Sequence, residues 1–317
     1  MHWGHPEIVT LTANPAIDVS TAIPTLLPFQ KMRCAEPRRD PGGGGVNVAR
    51  VLKRFGMHPR AIYPAGGDTG QLLRQLLRRE DIESLIVPIQ GQTREDFTVA
   101  EETTGRQFRF VMPGPSLSED EWRDLTAAVA DLAPRPNLLI ASGSLPGGAP
   151  ENFYADIAAM AARMKAKFVL DTSGPALAAA LAHGAYLIKP NLREMRGLVG
   201  EPLDNEQDWL RASRRLIDTG RTEIVALSLA DRGALLVTRE GAWRGYAPPV
   251  TPVSTVGAGD SFLGALVWSL MSDKSCEETL GYAIAAGTAA LHAPGTDLCR
   301  PDDVEFFLPR IKIEQLG

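Results

Sequence analysis

The 317 residues predict an α/β fold with a largely parallel central sheet covered by helices on both faces. Three observations carry that expectation. Short β-rich runs alternate with helical patterns along most of the chain. Several of those runs end in glycine or polar residues, and an open α/β sheet places its ligands beyond the carboxyl ends of its strands. An apolar fraction of 44% supplies a core large enough that neither a disulfide nor a metal is needed for folding.

Ile8-Val9-Thr10-Leu11-Thr12 is the first buried strand. A glycine run follows later, and Val46 to Phe55 is a predicted helix. Ala61-Ile62-Tyr63 is a second strand, running into Ala65-Gly66-Gly67-Asp68 and another helix. Leu138 to Ala141, Phe168 to Asp171, Tyr186 to Lys189 and Ile224 to Ser228 repeat the strand pattern. One region breaks the alternation. Residues 17–37 and 94–112 are strand-like with no helix between, and Gln107 to Met112 alternates apolar and polar residues as a half-exposed sheet does. The expectation is a small antiparallel sheet made from two pieces of chain, whose leftover apolar face covers a bound substrate or a second subunit. Without a repeat or an interdomain linker, residues 1–317 are expected to form a single domain carrying these two segments as a lid.

The net charge of −5 is mild and no long basic run is present, which argues against nucleic acid as a partner. No apolar stretch approaches the length of a bilayer span, so no membrane partner is expected. Met1 to Pro6 lacks the apolar core of a signal peptide. Cys34, Cys276 and Cys299 are odd in number and lie far apart, as in a reducing compartment. The expected location is cytoplasmic. His2 and His5 belong to an expected frayed terminus, and His58, His183 and His292 form no ligand spacing.

Two glycine-rich turns carry the chemistry. Thr255-Val256-Gly257-Ala258-Gly259-Asp260 precedes a clear helix, Ser261 to Met271. Glycines let the backbone approach a ligand, and the first N–H groups of a helix form an anion site. Donors at Gly257, Ala258 and Gly259 suit phosphate oxygens, and Asp260 beside them suits removal of a hydroxyl proton, the parts of a phosphoryl transfer. An acid complementing the helix dipole is the competing explanation of Asp260. The second turn, Pro41-Gly42-Gly43-Gly44-Gly45-Val46-Asn47, also enters a helix. It is either a flexible surface loop or a backbone wrapped against a sugar, with the Asn47 amide offering donor and acceptor to hydroxyls. Neither turn is a P-loop, and neither satisfies GxGxxG, which weighs against a nicotinamide-dependent dehydrogenase.

In this order, Asn14-Pro15-Ala16-Ile17-Asp18, the tetraglycine turn, Ser142-Gly143-Ser144-Leu145-Pro146, Lys189-Pro190-Asn191 with Glu194, and Gly257-Ala258-Gly259-Asp260 resemble the ribokinase-like carbohydrate kinases. The resemblance is to their phosphofructokinase B branch and covers most of the chain. It implies a three-layer α/β/α fold with a mostly parallel central sheet and a small β-sheet lid. Within the branch the chain is most similar to the ATP-dependent 6-phosphofructokinase type (minor isozyme). Gly42 to Gly45 lack the lysine usual in hexose 1-phosphate kinases, and Arg109-Phe110-Val111-Met112-Pro113-Gly114 resembles the 6-phosphofructokinase form. The implied reaction is phosphorylation of fructose 6-phosphate at its C1 hydroxyl by ATP. Kinases of tagatose 6-phosphate or fructose 1-phosphate are the alternatives within the branch, and a non-catalytic sugar-phosphate sensor is the alternative outside it.

The same resemblance implies roles. Asp18, Gly43, Gly44, Asn47, Ser142 and Ser144 contact the sugar, while Lys31, Arg94 and Arg109 neutralise its phosphate. For Asp18 and the serines, simple turn capping is the other explanation; for Lys31 and Arg109, ordinary surface charge. Lys189, Asn191, Ser228, Gly233 and Thr255 border the nucleotide. Asn191 and Glu194 position hydrated Mg²⁺ near the ATP phosphates, and an N-capping box explains the same pair. The lid sheets imply a homodimer. Two departures stand out. Ala230 occupies a position that is usually glycine in Ser228-Leu229-Ala230-Asp231-Arg232-Gly233, which bears on nucleotide affinity. Ala293-Pro294-Gly295-Thr296-Asp297 replaces a more usual Asn-Gln-Gly-Thr-Arg beside the family's monovalent-cation region, which bears on K⁺ activation.

Overall fold

The computed structural model describes residues 7–316, so His2 and His5 lie outside the described residues. In chain order the strands are β1 (Ile8–Leu11), β2 (Ala16–Ile23), β3 (Arg38–Gly42), β4 (Pro59–Ala65), β5 (Glu83–Pro88), β6 (Arg94–Glu101), β7 (Gln107–Phe110), β8 (Leu138–Ser142), β9 (Lys167–Asp171), β10 (Ala185–Ile188), β11 (Thr222–Ser228), β12 (Ala234–Val237), β13 (Ala242–Tyr246) and β14 (Lys312–Leu316). The helices are α1 (Gly44–Arg54), α2 (Gly67–Arg79), α3 (Glu119–Ala130), α4 (Phe153–Met164), α5 (Gly174–Ala180), α6 (Leu192–Val199), α7 (Glu206–Asp218), α8 (Ala258–Met271), α9 (Cys276–His292) and α10 (Pro301–Phe307).

The main sheet has ten strands in the order β14-β13-β12-β11-β10-β9-β8-β1-β4-β5. It is parallel from β5 to β11 and antiparallel from there to β14. Alternate residues of its strands feed two cores. Leu139, Ala141, Leu170 and Val225 pack with Trp122, Tyr154, Met195 and Trp209 of α3, α4, α6 and α7. Leu138, Ile140, Val169 and Leu187 pack with Leu52, Leu263, Leu266 and Ile284 of α1, α8 and α9. This is the expected three-layer arrangement. It follows from strands that are apolar on both sides and so need a helix on each. No helix among the described residues is long and apolar enough to cross a membrane.

The lid is a second sheet, β3-β2-β6-β7. It departs from the expected antiparallel pattern. Its central pair, β2 and β6, is parallel over Ala16↔Arg94 to Ile23↔Glu101, and only the outer pairs are antiparallel. The reason is topological: β2 and β6 each follow a parallel strand of the main sheet, β1 and β5, and leave the core in the same direction. The strands of the first piece lie at Ala16–Ile23 and Arg38–Gly42, so residues 24–37 join them as a connection rather than continuing the sheet.

Candidate active site

Each glycine turn has a stereochemical reason. Gly43 precedes α1 at φ +105°, in the left-handed region, and a Cβ on Gly44 would run into the Ser142 hydroxyl at the end of β8. The turn therefore brings the first residues of α1 against the carboxyl ends of the central strands. Pro41 and Gly42 belong to β3, while Gly44 and Gly45 already belong to α1, so this is a strand-to-helix junction and not a flexible loop. At the second turn Gly257 is left-handed at φ +77° and α8 starts at Ala258. Its first helical bond runs from Ser261 N to Gly257 O at 2.8 Å, leaving the N–H groups of Ala258, Gly259 and Asp260 ahead of the ladder.

That second turn divides two clefts. On one side, a cleft of about 330 Å³ is lined by Asp18, Gly43, Gly44, Asn47, Arg94, Arg109, Ser142, Ser144 and Glu194, with Gly257 and Asp260 on its wall. On the other, a more apolar cleft of about 690 Å³ is lined by Lys189, Asn191, Ser228, Gly233 and Thr255, with Ala258 and Gly259 on its wall and Phe262, Ile284 and Leu291 at its back. The structure thus gathers the residues expected around a sugar in one cleft and those expected around a nucleotide in the next. Lys31 joins neither. It lies exposed in the connection between β2 and β3, because the strand expected there is absent.

The charges are strongly coupled. Burial raises Asp260 to a pKa of about 6, partly offset by a hydrogen bond from Asn47 Nδ2 at 2.9 Å; Asp171 raises it further, while Lys189 and Arg109 lower it. Asp18 is likewise raised to about 6, by burial first and by Asp96 and Asp260 next, against Arg109 and Arg94. Lys189 is 7% exposed, with Nζ 3.2 Å from Asp171. Burial disfavours its charge, but Asp171, Asp260 and Glu194 outweigh that and hold its pKa above the ordinary lysine value. Arg94 is already engaged by Asp96, by Met112 O at 2.9 Å and by Asn14 O at 3.2 Å. Asn47 gives its NH₂ to Asp260 rather than holding it free for a sugar hydroxyl.

A model of the pfkB family carbohydrate kinases matches residues 9–303. The chain belongs to that family. It is 43% identical over 304 residues to the ATP-dependent 6-phosphofructokinase isozyme 2 of Mycobacterium tuberculosis (strain ATCC 25618 / H37Rv), spanning 96% of this chain and 89% of that one. The crystal structure of phosphofructokinase-2 from Escherichia coli in complex with substrates and products superposes with a TM-score of 0.91 at 39% identity, covering 96% of this chain and 99% of that one. The 1-phosphofructokinase of Bacillus subtilis (strain 168) is more distant, 28% identical over 309 residues, or 98% of this chain and 100% of that one.

Kinases of this family use ATP with a divalent metal, and the donor set here fits such an ion. No group of three or more His, Cys, Asp or Glu side chains among the described residues forms a metal cage. Glu194 faces the sugar-side cleft as a hard oxygen donor, which suits an ion that keeps its waters and arrives on phosphate. The capping box is real as well: Asn191 Oδ1 accepts from Glu194 N at 2.9 Å and Glu194 Oε2 from Asn191 N at 2.8 Å. The cap consumes one carboxylate oxygen and aims the residue. Sequence reasoning missed Asp96 and Asp171, which line the same cleft. Asp171 ends a strand that was legible, which was the available signal; Asp96 carried none.

Proposed function

We propose that this chain transfers the γ-phosphoryl group of ATP to the C1 hydroxyl of fructose 6-phosphate, giving fructose 1,6-bisphosphate and ADP. One observation carries the reading: the Gly257 to Asp260 turn is the shared wall of the two clefts, with the carboxylate on the sugar side and Ala258 and Gly259 on the other. ATP lies in the larger cleft against Lys189, Asn191, Ser228, Gly233 and Thr255. The sugar lies in the smaller cleft, its hydroxyls on Asp18, Ser142, Ser144 and the Gly43-Gly44 backbone, its phosphate at Arg109 and Arg94. Asp260 takes the C1 hydroxyl proton as that oxygen attacks, and the free N–H groups of Gly257, Ala258 and Gly259 meet the charge on the transferring group.

The divalent ion of this reading is Mg²⁺, held through water by Glu194, and it neutralises phosphate charge when bound; K⁺ is the accessory ion. The lid belongs to the one kinase domain. Strand alternation gives its two faces different tasks. Asp18, Asp96 and Arg109 turn toward the sugar, while Phe97 and Phe110, directly opposite one another, turn away and are 38% and 46% exposed. The polar face covers substrate and the apolar face pairs with a second copy, as a homodimer in the cytoplasm.

Asp260→Asn keeps the fold and sugar binding and loses about 10²–10⁴ in kcat. A coupled ADP-release assay across fructose 6-phosphate, tagatose 6-phosphate and fructose 1-phosphate reads both points. Near-normal turnover in the variant sinks the mechanism, and a preference for another sugar corrects the substrate.

A further inference from the structure

Nothing in the reaction so far employs Arg50. Charged side chains are almost never fully buried unless paired, yet Arg50 on α1 is 1% exposed. All three nitrogens of its fork donate hydrogen bonds. Nε and Nη2 donate to the carboxylate of Glu80, the C-cap of α2, at 2.7–3.0 Å, and Nη1 donates to Pro41 O at 3.0 Å and to Asn47 Oδ1 at 3.4 Å. Asp40 lies 3.9 Å from Nη2. Asn47 sits three residues earlier on the same face of α1, and its Nδ2 donates to Asp260 Oδ2 at 2.9 Å.

The donor inventory fixes the direction of this chain of bonds. Guanidinium has only donors, and an ionised carboxylate only acceptors. An amide between them satisfies both only with its oxygen toward Arg50 and its NH₂ toward Asp260. Flipped, it would set donor against donor and oxygen against oxygen. We propose that Arg50 is a positioning residue for phosphoryl transfer: anchored by Glu80, it holds the Asn47 amide so that it donates to the base, and it pins the Pro41 carbonyl where the chain enters the glycine turn. The proposal rests on Asp260 being the base. Among the charges around Asp260, Asp171 and Asp18 oppose its ionisation and Lys189 and Arg109 favour it, while Glu194, Asp96 and Arg94 line the same cleft. Asn47 is the neutral donor in that set, and only its aim depends on Arg50.

The test is the titration of the Asp260 carboxyl carbon by NMR in the full chain, assigned by its loss in Asp260→Asn, alongside the pH profile of kcat. In Arg50→Gln the carboxyl is expected to titrate about one unit higher. The kcat loss then depends on pH, about fivefold at pH 6 and under about twofold at pH 8 for a one-unit shift. An unaltered titration in folded Arg50→Gln overturns the proposal, and so does a kcat loss of the same size at every pH, which marks a merely structural role. Should Arg50→Gln fail to fold, Arg50→Lys replaces it. One ammonium cannot serve Glu80 and Asn47 as the planar fork does, so a shift in the same direction is expected and its absence overturns the proposal. Near-normal turnover in Asp260→Asn removes the base reading itself, whatever Arg50 variants show.

Discussion

Asp260 must be charged to accept a proton, yet it sits where burial penalises charge and where Asp171 and Asp18 add repulsion. These effects put its pKa at about 6, with Asp18 beside it also at about 6. Turnover is therefore expected to fall as pH drops through about 6, read as the acid limb of a kcat profile; a profile flat to pH 5 contradicts it. The same shift has a cost in stability. A carboxyl whose folded pKa is raised contributes stability below its unfolded pKa and loses that contribution as pH rises through its folded value. Asp260→Asn is thus expected to stabilise the fold at pH 8 by about 1–2 kcal/mol, allowing for solvent in the open cleft, and to leave it unchanged near pH 3.5. Urea unfolding at both pH values checks this. Asp297 runs the opposite way: burial works against its charge, but Arg54 and then Arg38 hold it down at about 2, so its contribution is present above the ordinary carboxylate range and is common to both proteins.

At the scale of elements, the nucleotide-side turn after β11 stands out. Ala230 adopts φ +55°, left-handed for a residue with a Cβ, at the position where the family resemblance leads one to expect glycine, and its exposed methyl lines the larger cleft. Such a conformation costs about 1–2 kcal/mol in an L-residue. Ala230→Gly is expected to raise unfolding free energy by about 1 kcal/mol, with the denaturant slope unchanged and the KM for ATP no higher. A lower midpoint in that variant means the turn gains more from the methyl than it loses in strain. This strain was foreshadowed in the sequence only as a missing glycine, because a dihedral angle is not written in a residue name. Elsewhere legibility followed locality. The strands at Ile8, Leu138 and Phe168, and the capping box at Asn191 and Glu194, depend on neighbours in the chain and were plain. The parallel pairing of β2 with β6 and the clamp at Arg50 depend on partners thirty or more residues away, and no period or spacing announces them.

The whole molecule leaves one surface unexplained by a single copy of the chain. Phe97, Phe110, Val111 and Met112 are exposed on the lid, together with Leu27, Phe29 and Met32 in its β2–β3 connection. A group of exposed apolar side chains of this kind marks an association site. The alternation that puts Arg109 over the sugar-side cleft is what turns Phe110 away from it, so the patch cannot close on substrate. A lid whose far side rests on a second copy is held in place over the sugar; a lid facing water is not. Phe110→Glu places a charge directly opposite Phe97. It is expected to convert a dimer to monomer by sedimentation at micromolar concentration, since leaving a charge unpaired in a packed interface costs several kcal/mol. Because Asp260 lies on α8 in the main body while Asp18, Arg94 and Arg109 of the lid line the sugar-side cleft, kcat should change little while the KM for the sugar phosphate rises. If the unaltered protein sediments as a monomer, the lid faces solvent and the homodimer is wrong. If the variant is monomeric with an unaltered KM, the lid acts without its partner.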